Sequence, residues 1–474
     1  MTIQTEEKVG AVDRFFEITK RGSTFLRETN GGVATFLAMS YIVVLNPIIL
    51  TGAPVEGYTP SFHSVATVTA LVAAIATLAM GVIGKVPFAL AAGLGINGIV
   101  AFQLAPILGY EGAMAVVVLE GMITFLLVIT GIRVALFNAI PLVLKQAIGA
   151  GIGAFLILIG FVDGGVVKGA PLAPSLNLEP LNTWPRLVFV LVLIATIVMV
   201  IKKWKGAIII AIVGGTTLAV IIETFAKLGS AVDNPAGWVL NVPSLAGKEV
   251  VTGPDWSVFG HFSFVNAFSA GPILLVFFVF SLILADLFDT SGTIVAVSKG
   301  ADLLDEKGNP ARLGRILGVD SLAAALGGFA GVSSNTTYIE SATGVRAGAR
   351  TGFANVITAV LFLVAILLTP LVQLVPSEAA APVLVVVGSL MVWEFVGVAV
   401  KEHADELALA SVLGILVMPF TYSITNGIGV AFIVYTVSMV ANKKARLLHP
   451  LMWVMAVAFI VYFALPLIRM WLGI

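Results

Sequence analysis

Stretches of some twenty mostly apolar residues recur along this chain at short intervals, and that recurrence limits the fold more than any motif does. A helix crossing a lipid bilayer needs about 20 such residues. Candidate spans fall near residues 31–51, 62–84, 87–107, 111–131, 141–161, 186–201, 206–226, 264–287, 311–331, 334–350, 352–375, 380–400, 406–420 and 424–441. Composition agrees, with 59% hydrophobic and 11% charged residues and a mean hydropathy of +1.07, where soluble domains carry about 25% charge. The expectation is an all-α polytopic membrane protein with fourteen spans. A further apolar segment at 450–472 either crosses a fifteenth time or lies in the interface.

Basic residues orient the spans. Arg14, Lys20, Arg21 and Arg27 precede the first; Lys85, Arg133 and the run Lys202, Lys203 and Lys205 follow spans two, four and six. Lys299, Lys307, Arg312 and Arg315 follow span eight, Arg346 and Arg350 span ten, Lys401 span twelve, and Lys443, Lys444 and Arg446 span fourteen. Even-numbered loops are basic and odd-numbered loops poor in Lys and Arg, as the positive-inside rule wants if the N-terminus is cytoplasmic; the expected location is the cytoplasmic (inner) membrane. Residues 1–30 are polar without a signal-peptide core, so the first span is expected to be retained. The balance of 26 basic and 26 acidic residues gives no footprint for nucleic acid, and the absence of cysteine excludes disulfides, thiolate metal sites and a thiol nucleophile.

The apolar run Gly271–Leu284 closes on Asp286 and Asp289. An ionised Asp at the centre of a span costs roughly 2.5–3.5 kcal/mol on insertion scales, so acids there point to a functional site. Helical spacing puts Asp286, Asp289, Thr290 and Thr293 on one face.

Two spans read as broken. Span three carries Pro87 and the glycines Gly93, Gly95 and Gly98, and span ten opens on the polar, β-branched run Ser333 to Thr337, followed by Glu340. With the loop at 228–262 as the seam, each is the third member of its half. Interrupted spans at matching positions are the sequence mark of a transporter site between inverted repeats. Short extended stretches, Phe88–Ala92 and Val332–Thr336, are expected to pair across the repeat interface. Half-helices starting near Gly98 and Thr337 would then aim their positive ends at the pocket. The bland reading is two kinked packing helices.

The segments ATFLAMSYIVVLNPIIL (34–50), AAGLGINGIVAF (91–102), ADLFDTSGT (285–293) and SSNTTYIESATGVRAGARTG (333–352) resemble the nucleobase:cation symporter-2 family, in particular its AzgA-like purine permease branch. The resemblance runs through nearly the whole chain. It implies a 7+7 inverted repeat, with a cytoplasmic N-terminal segment at 1–30 and an extracytoplasmic loop at 228–262. Residues 31–132 and 263–375 would form the substrate-carrying core (spans 1–4 and 8–11). Residues 133–227 and 376–474 would form a gate (spans 5–7, 12–14 and the C-terminal helix) through which the protein pairs as a homodimer. It also implies proton-coupled purine uptake, with no cofactor, and a base gripped by one acid of span eight and one of span ten, here Asp286 and Glu340. The uracil and xanthine types carry a different pattern around the span-eight acid, and the Asp-Leu-Phe-Asp arrangement of Asp286 and Asp289 supports the purine branch.

Purines offer ring N–H donors, ring-nitrogen acceptors and an exocyclic carbonyl or amine, and a carboxylate accepts from such donors in strong charge-assisted bonds. Glu340 and Asp286 are expected to grip the base, Asn97 and Thr337 to sit near it, and Phe88 or Phe288 to stack on it. Two acids in one dry site cannot both stay ionised cheaply, which gives a route to proton coupling through Asp286, Asp289 or Glu340. The bland alternatives are structural: Asp286 bonded to hydroxyls, Asp289 bracing a neighbouring span, Asn97 capping a half-helix, and Thr290, Thr336 and Thr337 satisfying backbone. Glu120, Asp320 and Glu394 read as helix–helix ties, with Asp320 in reach of basic residues near span ends. Lys145 and Gln146 read as snorkelling side chains. The four histidines sit at span ends or in loops. The glycine-rich runs at 149–154 and 327–328 read as close helix packing.

Two other readings compete. The Asp286-x-x-Asp289 spacing also suits Mg²⁺ in membrane prenyl-transferring enzymes, yet no second acid-rich motif and no diphosphate-binding cations accompany it. A same-fold anion exchanger is the nearer rival, although those relatives lack this acid pair and carry a large C-terminal domain.

Overall fold

Backbone amides inside lipid have no water to bond, so an apolar chain must close its hydrogen bonds within helices or between strands buried in protein. The computed structural model, which describes residues 10–52, 55, 57–133, 135, 141–169, 176–204, 206–239, 241–244, 253–269, 271–301, 303, 310, 312–399 and 405–472, obeys that rule. A short helix α1 (Ala11–Phe16) precedes α2 (Phe25–Met39), α3 (Ile42–Thr51) and α4 (Phe62–Ala79). Strand β1 (Leu90–Ala92) and α5 (Leu94–Ile99) replace a plain third span, and α6 (Ala105–Ile129) follows. Then come α7 (Leu142–Asp163), a two-stranded ribbon of β2 (Val167–Gly169) and β3 (Leu176–Leu178), α8 (Trp184–Ile201) and α9 (Ala207–Ala226).

The second half repeats the order. It comprises α10 (Phe264–Ser269), α11 (Pro272–Gly300), α12 (Leu313–Phe329), strand β4 (Asn335–Thr337), α13 (Ser341–Arg346), α14 (Phe353–Ile366), α15 (Thr369–Val372), α16 (Ser377–Ala399), α17 (Asp405–Phe420) and α18 (Ile424–Ala441). A last helix, α19 (Pro450–Leu472), packs on α18. Among the described residues, eight helical stretches are long and apolar enough to cross a membrane.

Helix neighbours exchange when the halves are swapped. α6 packs on α12 as α14 packs on α4, α2 on α14 as α11 on α6, and α8 on α16 as α17 on α7. Three contacts map onto themselves, α7 with α16, α4 with α12 and β1 with β4. The strands pair antiparallel, Leu90 opposite Thr337 and Ala92 opposite Asn335. An inverted repeat gives that direction, because its axis runs through the strand pair.

The broken spans satisfy their exposed backbone from several sides. Thr77 Oγ1 bonds both the amide and the carbonyl of Leu90, at 2.9 and 3.0 Å. Asn355 Nδ2 donates to the Phe88 carbonyl at 2.7 Å, and Ser341 Oγ accepts from the Ala89 amide at 3.0 Å. Backbone pairing runs one residue past the strands, with the Gly93 amide donating to the Ser334 carbonyl and the Tyr338 amide to that of Ala89, both at 2.9 Å. The half-helices begin at Leu94 and Ser341, not near Gly98 and Thr337 as the sequence suggested.

The eighth span also differs from expectation. Gly271 takes φ 86° and Pro272 has no amide to give, so a break separates α10 from α11. Helix α11 then continues for 29 residues to Gly300, which places Asp286 and Asp289 in its middle. The glycine runs do pack closely. A Cβ on Gly153 would lie 2.5 Å from the Gly388 carbonyl oxygen, and one on Gly328 2.7 Å from the Val118 nitrogen.

Candidate functional site

Where β4 ends, Tyr338 and Ile339 turn the chain into α13, and Glu340 stands at the N-cap of that half-helix. Opposite it, α2 breaks into α3 around Tyr41, whose hydroxyl donates to Glu340 Oε1 at 2.5 Å. Asp289, on the middle turn of α11, accepts from Thr336 Oγ1 at 3.1 Å. These groups open onto one cavity of about 150 Å³. Phe288, Thr293, Thr337 and Leu94 complete one side; Lys145, Gln146, Gly149 and Leu156 of α7, with Val387, Met391 and Phe395 of α16, form the other. The cavity thus lies between the strand-bearing helices and the α7–α16 pair.

Of the residues singled out from sequence, Glu340, Asp289, Phe288 and Thr337 are on its wall. Asp286, Asn97 and Phe88 are not. Asp286 is fully buried and bonded to Arg133 Nη2 at 2.6 Å. The same nitrogen reaches Asp320 Oδ2 at 2.8 Å, and Nη1 donates to the Leu317 carbonyl and to Ser321 Oγ at 3.0 and 2.6 Å. Thr290 Oγ1 bridges Asp286 and Asp320 at 3.2 and 3.0 Å. The polar stripe of α11 is therefore divided: Asp289 and Thr293 face the cavity, and Asp286 and Thr290 face α12. A helical stripe this wide touches more than one neighbour, and Arg133 claims one edge.

Asn97 Nδ2 donates to Asn46 Oδ1 at 2.7 Å, tying α5 to α3. Phe88 is fully buried in an apolar cluster with Met80, Ile294 and Ile316, where it anchors the approach to β1. The helix ties read from sequence are present for Asp320 and Glu120: Glu120 accepts from Thr124 and Ser334 at 3.2 and 3.3 Å. The Glu394 side chain lies outside the described residues. Asp320 also reaches the cavity wall indirectly, because its Oδ1 accepts from the amide and hydroxyl of Thr337 at 3.1 and 3.0 Å.

Sequence reasoning missed three participants. Tyr41 is hidden in an apolar run. Arg133 counts only as a positive loop residue until the fold shows it 1% exposed between α11 and α12. Lys145 does not snorkel; it is 7% exposed and lines the cavity. Its place on the fourth residue of α7, among hydrophobic neighbours, was the available signal.

Chemically, the cavity offers carboxylates, hydroxyls, an ammonium, an amide and aromatic rings, suited to a small planar molecule with both donors and acceptors. Among the described residues no group of His, Asp or Glu is placed to hold a metal ion. Asp286 and Asp289 point to different partners, which does not suit a shared Mg²⁺.

Comparison with known proteins follows the same line. A family model described as a permease family matches residues 27–425. The guanine/hypoxanthine permease PbuG of Bacillus subtilis (strain 168) is 35% identical over 455 residues, which cover 95% of this chain and 98% of that protein. The adenine permease AdeP of Escherichia coli (strain K12) is 32% identical over 463 residues, 97% of each chain. Among solved structures, the transmembrane domain of a cyanobacterium bicarbonate transporter, BicA, superposes with a TM-score of 0.58 at 16% identity, covering 88% of this chain and 96% of that one. That likeness carries the fold and nothing about substrate.

Proposed function

The chain belongs to this permease family, and on that premise we propose that it carries purine nucleobases across the cytoplasmic membrane by proton-coupled symport. The observation that carries the proposal is the cavity itself, where Glu340, Asp289 and Tyr41 face α7 and α16 across a space of about 150 Å³. Relatives named for guanine, hypoxanthine and adenine support the substrate class.

In this reading the helices of residues 31–132 and 263–375 are a core that holds the base, and those of 133–227 and 376–474 are a gate. Glu340 accepts from ring N–H groups, and Tyr41 fixes its orientation. Asp289 accepts from a second edge, and Phe288 covers the ring. Substrate binding passes from Asp286, the acid expected from sequence, to Asp289 one turn on. Asp286 becomes a positioning residue that holds α11 against α12 through Arg133. Two carboxyls beside a neutral base in a water-poor site favour uptake of one proton with the base, and Asp289 is the acid assigned to it. Rocking of the core against the gate about the cavity then exposes it to either side, with the N-terminus cytoplasmic and the gate pairing two copies.

Binding of radiolabelled hypoxanthine to the purified protein tests the site. Glu340→Gln and Asp289→Asn should each lower affinity roughly tenfold or more, the scale of a lost charge-assisted hydrogen bond. Wild-type affinity in both variants would refute the assignment.

A further inference from the structure

The two walls of the cavity have opposite hydrogen-bonding character. The core wall is richest in acceptors: the ionised Glu340 carboxylate only accepts, and Asp289 keeps an acceptor oxygen even when it carries the proton, beside hydroxyls that take either role. The gate wall presents Lys145, and an ammonium only donates. Lys145 is the one Lys, Arg or His among the described residues that line the cavity, and it is 7% exposed. Gln146 beside it carries an amide that can present either polarity, so it does not discriminate.

A ligand filling this space needs a donor edge for the core and an acceptor edge for the gate. Resting on the reading of the cavity as a purine site, we propose that Lys145 selects 6-oxopurines by donating to their O6/N7 edge. In the 9-H tautomers of hypoxanthine and guanine, O6 and N7 form a continuous acceptor edge. N1–H, joined in guanine by the 2-amino group, and N9–H supply donors on the other sides. Adenine has no such division. Its 6-amino group flanks both N1 and N7, so either edge containing it sets a donor beside an acceptor. An ammonium facing the N7 edge of adenine meets that amino group and loses a partner. In a buried site a polar group left without its partner is the strongest source of discrimination between similar ligands.

The geometry also makes selection part of the transport cycle. Lys145 belongs to α7 and the carboxylates to α11 and α13, so both edges of the base are read at once only when core and gate close on it. A base that suits the core alone binds without completing the gate contact.

Competition binding to the full-length purified protein tests the proposal, using hypoxanthine, guanine, adenine and 7-deazahypoxanthine, which keeps O6 but lacks the N7 acceptor. Hypoxanthine and guanine should bind roughly tenfold or more tighter than adenine, and 7-deazahypoxanthine should lose a similar factor. In Lys145→Met the 7-deaza penalty should vanish and the preference over adenine should collapse. Lys145→Arg, which keeps a donor-only cation, should retain the preference. Adenine binding as tightly as hypoxanthine in the wild type would overturn the proposal, as would an undiminished 7-deaza penalty in Lys145→Met. Should Lys145→Met fail to fold, the wild-type ranking and the arginine variant decide. Purine binding without the expected ranking removes the role of Lys145 and leaves the purine site standing; no binding of any purine by folded protein removes both.

Discussion

Replacing Arg133 by glutamine removes a buried charge that is bonded to four groups. Its guanidinium donates to Asp286, Asp320, Ser321 and the Leu317 carbonyl, and the two acids it serves are fully buried. Removing one partner of a buried ion pair costs about 3–5 kcal/mol, because the remaining charge keeps its desolvation penalty. Two acids depend on this cation, although Asp320 keeps donors from Thr290 and Thr337. Arg133→Gln should therefore sit in that range, most of it from Asp286. Arg133→Lys should recover only part, since one ammonium has three donors and no planar fork. Adding Asp286→Asn to Arg133→Gln should restore stability, giving an interaction energy of about 1–3 kcal/mol in a double-mutant cycle. The assay is reversible unfolding in detergent micelles with mixed SDS, read by tryptophan fluorescence. Strict additivity of the two substitutions would refute the argument that Arg133 stands in the fold as the counter-charge of Asp286.

Four further outcomes follow from the geometry. Tyr41→Phe removes the hydroxyl bonded to Glu340 and should weaken hypoxanthine binding roughly tenfold with little change in thermal stability; unchanged affinity would show that Glu340 needs no such orientation. Gly153→Ala would force a methyl group against the Gly388 carbonyl and should destabilise by about 1–3 kcal/mol. Gly214→Ala, with nothing within 4 Å of the new carbon, should be neutral or mildly stabilising. Ahead of the first span, hydrogen bonds from the Thr19 hydroxyl and amide hold the Asp13 carboxyl below its ordinary value of 3.8. A depressed acid stabilises only while ionised, so order in residues 11–21 should be constant above about pH 4 and fall as pH drops through the lowered value. Hydrogen exchange of that segment, corrected for intrinsic rates, measures it, and Asp13→Asn should lose the protection at neutral pH.

The legible part of this fold was whatever depends on local pattern. Apolar length marked most helices to within a few residues, though not the end of α11, and glycine and β-branched content marked the two breaks. The match between halves foretold the β1–β4 pair. What stayed hidden depends on which neighbour a face meets. Asp286 and Asp289 are three residues apart on one stripe, and nothing in the linear chain says that Arg133, from beyond the end of α6, reaches the first and leaves the second to the cavity. Phe88, expected to stack on the base, is turned by the backbone into the cluster around Met80 instead. Lys145 looked like a residue at a helix start in reach of the interface, and only the packing of α7 across the strand-bearing helices turns it inward.

Uptake of hypoxanthine by proteoliposomes under an imposed inward proton gradient tests the central claim most directly. The account predicts accumulation that a protonophore abolishes, that unlabelled guanine competes with and uracil does not, and that Asp289→Asn uncouples from the gradient. Uptake indifferent to the proton gradient would contradict the symport mechanism, and no purine uptake by folded protein would contradict the function itself.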